Sequence, residues 1–233
     1  MPIHSRAQCI RAVVFDWRGT LVSELTPRGW ASEALRRAGR AHHPAAADAL
    51  LARIRAAAGQ PNRLQSPQGN TSAARHRQTY YEVFAAARLD TEVADALFAV
   101  DSDPTYNDFA ADAAEAIAML RENGCKIGVL SNIHFDVRPC FDRAGLLDAI
   151  DAFALSGEEG MQKPDPAIFR LILTRLGTRA GATLMVGDRP SRDGVAVEVG
   201  MPTLLVPPLT DPGVRQLHLV TSAVLGASDR VAA

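Results

Sequence analysis

Apolar positions divide the chain into an opening strand, a long helical stretch, and a second half in which helix and strand alternate. Arg11 to Asp16 (R-A-V-V-F-D) is a β-branched and aromatic run ending in a carboxylate, which predicts a buried strand that delivers Asp16 to its C-terminal end. Gly19 then permits a sharp departure from the sheet. From Glu24 to Asn107 the pattern predicts helices and no strand: Pro27 and Pro44 open two of them, Gly39 and Gly59 close them, and Asp90 caps a later one. The polar, Pro/Gly-rich stretch Gly59 to Asn70 splits these helices into two pairs, so a helical hairpin lobe is the economical reading.

Beyond Asn107, the spacing of Phe109, Ala113, Ile117 and Leu120 marks an amphipathic helix, and Lys126 to Ser131 (K-I-G-V-L-S) reads as the next strand. Further strands are expected at Ala152 to Leu155, Thr183 to Gly187 and Thr203 to Val206, with helices opening near Phe135, Pro166 and Ser191. The residues after Ser222 read as a frayed tail. Alternation of this kind implies an α/β fold, a parallel sheet covered on both faces, whose ligands lie beyond the carboxyl ends of the strands. Asp16, Ser131 and Asp188 stand at three of those ends.

The 233 residues are enough for a full core, as one domain or as a core with a smaller lobe. With Lys+Arg 25 against Asp+Glu 26, no global field draws the chain to nucleic acid or to an anionic membrane. Recognition must therefore be local; the expected partner is a small molecule and the expected state a monomer or homodimer. Cys9, Cys125 and Cys140 are odd in number and lack a C-x-x-C pair, which fits structural thiols in a reducing compartment. Met1 to Arg11 carries no apolar leader and no run is long enough to span a membrane, so the expected address is the cytosol.

Neither G-x-G-x-x-G nor G-x-x-x-x-G-K-[ST] follows any expected strand, so the site must be built otherwise. Two strand-terminal carboxylates, Asp16 and Asp188, would meet at the sheet edge, where their repulsion demands a proton or a cation, and oxygen ligands favour Mg²⁺. Asp193, in G-D-R-P-S-R-D, can join them as a ligand or as a hydrogen-bonded support. The plain alternative is a pair of helix-capping aspartates. Lys163, extended ahead of Pro164, can reach into the crevice, though alone it would read as a solvated charge. Ser131 and Asn132 offer a hydroxyl and an amide to the same oxygens, or simply a turn or helix cap.

In order along the chain, F-D-W-R-G-T-L, V-L-S-N, K-P-D-P-A-I-F and V-G-D-R-P-S-R-D-G resemble the motifs of the haloacid dehalogenase-like hydrolase superfamily. The resemblance implies a Rossmann-like parallel core over 1–23 and 108–233, with an inserted all-helical cap at 24–107. It further implies that Asp16 is a nucleophile forming an aspartyl phosphate, that Ser131 binds the transferred group, beside Asn132 as the second substrate-binding candidate, and that Lys163 holds nucleophile and phosphoryl charge together. Mg²⁺ would be held by Asp16, the main-chain carbonyl of Arg18, Asp188 and Asp193.

Position 18 departs from that pattern, since phosphate-ester members usually carry a second aspartate there as general acid and base. Arginine does not exchange a proton near neutrality, and losing such a group costs roughly 10² to 10⁴ in rate. Arg18 is left to neutralise phosphoryl charge, to bind a substrate carboxylate, to face solvent or to pair with a cap carboxylate. Trp17 reads as packing. Arg28, Arg75, His76 and Arg77 are available to a substrate, but read more simply as solvated surface. The leading function is a Mg²⁺-dependent phosphatase acting on a small phosphorylated metabolite. A metal-free 2-haloacid dehalogenase and a catalytically impaired, phosphate-binding or phospho-regulated module are the alternatives.

Overall fold

The computed structural model describes residues 9–66 and 68–226; the leader reading of residues 1–8 and the tail reading of 227–233 lie outside these. Five strands, β1 (Ala12–Phe15), β2 (Lys126–Ser131), β3 (Ala152–Leu155), β4 (Thr183–Gly187) and β5 (Thr203–Leu205), form one parallel sheet in the order β3-β2-β1-β4-β5. The α/β expectation therefore holds, with β1 central, as its wholly apolar sequence requires.

Successive side chains of β1 point to opposite faces. Val13 and Phe15 join Ile127, Val129 and Val186 on one side, and Ala12 and Val14 join Leu130 and Met185 on the other. The first face is covered by α5 (Ala113–Glu122), α6 (Arg138–Arg143) and α9 (His218–Leu225). The second is covered chiefly by α8 (Pro166–Leu176), through Ile168, Phe169, Ile172 and Leu176. A single turn, α7 (Ser156–Glu159), follows β3. Trp17 is fully buried, with its ring 5.4 Å from Phe109 and 5.1 Å from Phe141, and serves as packing.

Between β1 and α5 the chain forms α1 (Pro27–Arg37), α2 (Pro44–Ala58), α3 (Ala73–Ala86) and α4 (Thr91–Asp101). Each begins at a capping side chain, and the α1 and α2 prolines occupy the first helical position, where no N–H is needed. These helices bury their own apolar cluster, with Leu35, Leu51, Ile54, Phe84 and Leu97 among its members. The chain enters and leaves this lobe through two adjacent segments: Ser23 N donates to Asp108 O at 2.7 Å, and Asn107 Nδ2 to Ser23 O at 3.0 Å.

Four local expectations are corrected. Phe109 precedes α5, because it pairs with Val22 in an isolated bridge and packs edge to face with Trp17. The helix expected near Phe135 starts at Arg138, whose N–H is taken by Asp136 Oδ1. Near Ser191 there is a turn and then a 3₁₀ segment, Gly194–Val199, because Asp193 is drawn inward to Lys163. The helix α9 runs past Ser222 to Leu225, anchored by buried Val224. Among the described residues, no helix is long and apolar enough to cross a membrane.

Candidate functional site

Parallel registry aligns Phe15 with Val129 on one side and with Val186 on the other, so the residues just beyond these rows converge at one edge of the sheet. Asp16 follows β1 directly, and its N–H donates to Val186 O at 2.8 Å. Lys163, only 1% exposed, arrives from the loop before α8 and lies beneath Asp16. Its Nζ is 2.8 Å from Asp16 Oδ1, 2.5 Å from Asp193 Oδ1 and 3.1 Å from Leu130 O. Burial works against the ammonium, but the two carboxylates outweigh it and hold its pKa above the ordinary lysine value.

Asp188 follows β4 directly, and one of its oxygens lies within 4.8 Å of an oxygen of Asp16 and of Asp193. Asp188 Oδ1 is buried without a hydrogen-bond partner among the described residues. Burial, reinforced by the Asp16 charge, pushes this carboxyl up to about 7. Gly19, at φ 80°, is obligatory here: a Cβ on it would lie 2.6 Å from Asp188 Oδ2. An orphaned oxygen in an all-carboxylate cluster fits a hard divalent cation such as Mg²⁺.

Ser131, at the end of β2, is 3% exposed; its hydroxyl lines the cavity and makes no hydrogen bond among the described residues. Asn132 reaches the site but spends both ends of its amide on the Lys163 backbone, donating to O at 2.7 Å and accepting from N at 2.8 Å. These two bonds let its side chain fix the lysine loop while it lines the cavity.

Arg18 is bound to the helical lobe. Its Nη2 donates to Asp101 O at 2.6 Å, its Nε to Asn107 Oδ1 at 3.2 Å, its Nη1 lies 3.6 Å from Asp101 Oδ1, and its guanidinium stacks over Phe135. Of the roles open to it from sequence, pairing with a lobe carboxylate is the one seen. Asp101 Oδ2 in turn lies 2.8 Å from His76 Nε2, and His76 stacks on His134 at 3.6 Å. His76 is thus buried in the cavity wall, a correction to its reading as solvated surface, whereas Arg28 pairs with Asp48 on the exterior. Burial, then the neighbouring His76, drives the His134 imidazole down to about 3, so it is neutral at physiological pH. His76, Asp101 and His134 are close enough to share an ion, but His76 Nε2 already pairs with Asp101 Oδ2, His134 Nε2 with Ser102 Oγ at 2.9 Å, and Arg18 balances Asp101. Nothing in the sequence pattern signalled this group, which joins α3, α4 and the loop after β2.

Asp16, Lys163, Asp188, Ser131, Arg18 and His134 line one cavity of about 730 Å³ between the sheet edge and the lobe. A parallel α/β core with a buried lysine and an acidic cluster beyond its strand ends is that of an α/β protein whose ligand crevice lies at the carboxyl edge of the sheet. More particularly, a family model for haloacid dehalogenase-like hydrolases matches residues 10–197, and the chain belongs to that family. Among curated relatives, a ribulose-1,5-bisphosphate 5-phosphatase of Halopiger xanaduensis is 36% identical over 99 residues, covering 42% of this chain and 41% of the relative. A phosphoserine phosphatase of Thermus thermophilus is 34% identical over 119 residues, covering 50% and 46%. The matches thus span less than half of each relative. An L-2-haloacid dehalogenase from Xanthobacter autotrophicus superposes with a TM-score of 0.61 at 23% identity, covering 93% of this chain and 83% of that one, a likeness of fold.

Proposed function

We propose that the chain is a Mg²⁺-dependent phosphatase of a small phosphorylated metabolite, with the helices of 24–107 acting as its cap. Asp16 attacks phosphorus, the ester P–O bond breaks, and water then hydrolyses the aspartyl phosphate. Lys163 holds the Asp16 carboxylate in its reactive orientation and faces the phosphoryl charge, Asn132 fixes the lysine loop, and the Ser131 hydroxyl is free to donate to a phosphoryl oxygen. Asp16, Asp188 and the Arg18 carbonyl would hold the ion, with Asp193 beside them. When bound, Mg²⁺ offsets the clustered negative charge and polarises phosphoryl oxygens. Arg18 donates no proton to the leaving oxygen, so esters with good leaving groups are favoured. The phosphatase relatives, by their names, act on molecules that carry a phosphate and a second acidic group.

The carrying observation is the orphaned Asp188 Oδ1 beside Asp16. A metal-free dehalogenase gains nothing from that repulsion. Hydrolysis of para-nitrophenyl phosphate is expected with Mg²⁺ and absent in EDTA; equal rates in both would refute the metal-dependent reading. Failure of all turnover, with hydroxylamine releasing phosphate from Asp16, would favour the phospho-regulated alternative.

The raised Asp188 carboxyl has a thermodynamic signature. A carboxyl whose pKa rises on folding stabilises the metal-free fold at low pH, and that contribution is lost as pH rises toward about 7. In EDTA, Asp188→Asn is therefore expected to be more stable than the parent, by on the order of 2 kcal/mol at about pH 8, with the gap narrowing toward about pH 5. Millimolar Mg²⁺ should stabilise the parent far more than the variant. Urea midpoints check this, and a gap that does not vary with pH would contradict it.

A further inference from the structure

Five lysine and arginine side chains line the cavity, and three are already engaged. Lys163 is shared by Asp16 and Asp193, Arg18 is paired with Asp101, and Arg189 Nη2 lies 2.5 Å from Glu24 Oε2. The side chains of Arg192 and Arg55 make no hydrogen bond or ion pair among the described residues. Arg192 is half-buried in the turn after β4, next to Asp193 in sequence, with the carboxylates of Asp16, Asp193 and Glu24 near enough to favour its charge without pairing with it. Arg55 stands on the lobe side of the same cavity, on α2, next to the apolar wall of Leu51 and Ile54.

Neither guanidinium has its N–H groups taken by a hydrogen bond among the described residues, and the guanidinium fork matches a carboxylate or phosphate bidentately. The phosphoryl group in the proposed reaction is served by Lys163, Ser131 and the metal ligands, which leaves these two cations for something else. We propose that Arg192, with Arg55 on the lobe side of the same cavity, forms a subsite for a second anionic group of the substrate. The substrate class is then a small phosphate ester whose carbon chain ends in a carboxylate or a second phosphate. This deepens and rests on the phosphate-handling reading of Asp16 and Lys163.

The test is equilibrium binding of non-hydrolysable phosphonates to the full chain with Mg²⁺, by isothermal titration, which needs no turnover. The probes are propylphosphonate, 3-phosphonopropionate and propane-1,3-bisphosphonate. The parent is expected to bind at least one of the two-anion probes about tenfold or more tighter than propylphosphonate, and the one preferred identifies the second anion as carboxylate or phosphate. Arg192→Gln should shrink that ratio to below about threefold, and Arg55→Gln, on an exposed helix position, should reduce it by about threefold. A parent without the ratio overturns the proposal. So does an equal loss for all three probes in Arg192→Gln, which would place this arginine on the phosphoryl group itself. If Arg192→Gln does not fold, an Arg55→Gln ratio equal to the parent's overturns the proposal as stated. A preserved ratio in a protein that hydrolyses no ester would instead sink the phosphatase reading and leave the subsite standing.

Discussion

Asp16→Asn is expected to lower turnover of any phosphate ester by about 10⁴-fold or more while the protein stays folded. The amide is nearly isosteric but is no nucleophile toward phosphorus. The fold has reasons to tolerate it: Lys163 keeps Asp193 at 2.5 Å and Leu130 O at 3.1 Å, so its ammonium remains paired. Removing the Asp16 charge also relieves one of the two main causes of the raised Asp188 carboxyl. Single-turnover kinetics with phosphate release, together with a denaturation curve, separates the two effects. A variant that retains a tenth or so of parental turnover would show that another group attacks phosphorus.

Lys163→Met should produce the largest loss of stability, about 3–5 kcal/mol, because it leaves buried carboxylates without their counter-ion. Lys163 is 1% exposed and Asp193 is not exposed at all, so water cannot replace the lost ammonium. Adding Asp193→Leu to Lys163→Met should recover part of the loss, since the second substitution removes the charge that the first left stranded. Urea denaturation of the single and double variants in EDTA measures both terms. A cost below about 1 kcal/mol for Lys163→Met would mean that this lysine contributes nothing to the fold beyond its stem.

The strands were legible because a strand buried on both faces is written as an unbroken apolar run, and the expected ranges of β2, β3 and β4 match those observed. Asp16, Ser131 and Asp188 could be brought together from sequence because the ends of adjacent parallel strands must be neighbours. The Arg18–Asp101–His76–His134 group was not legible, since its members come from separate elements and only the closure of the lobe onto the sheet makes them adjacent. The same limit hid the commitment of Asn132 to the Lys163 backbone. Local pattern also misplaced the helix expected near Ser191, because a tertiary ion pair, Asp193 with Lys163, outcompetes helical propensity there.

The paired crossing at Ser23 and Asn107–Asp108 bears on the order in which the chain folds. Strands β1 and β2 are hydrogen-bonded neighbours in the sheet, yet the whole lobe lies between them in sequence. Closing so long a loop in an unstructured chain is entropically costly and slows the pairing of distant strands. A lobe that folds first, on its own apolar cluster, brings Ser23 and Asp108 together and presents the two strands to each other as though a tight turn joined them. The insertion then acts as a kinetic template for the sheet that flanks it.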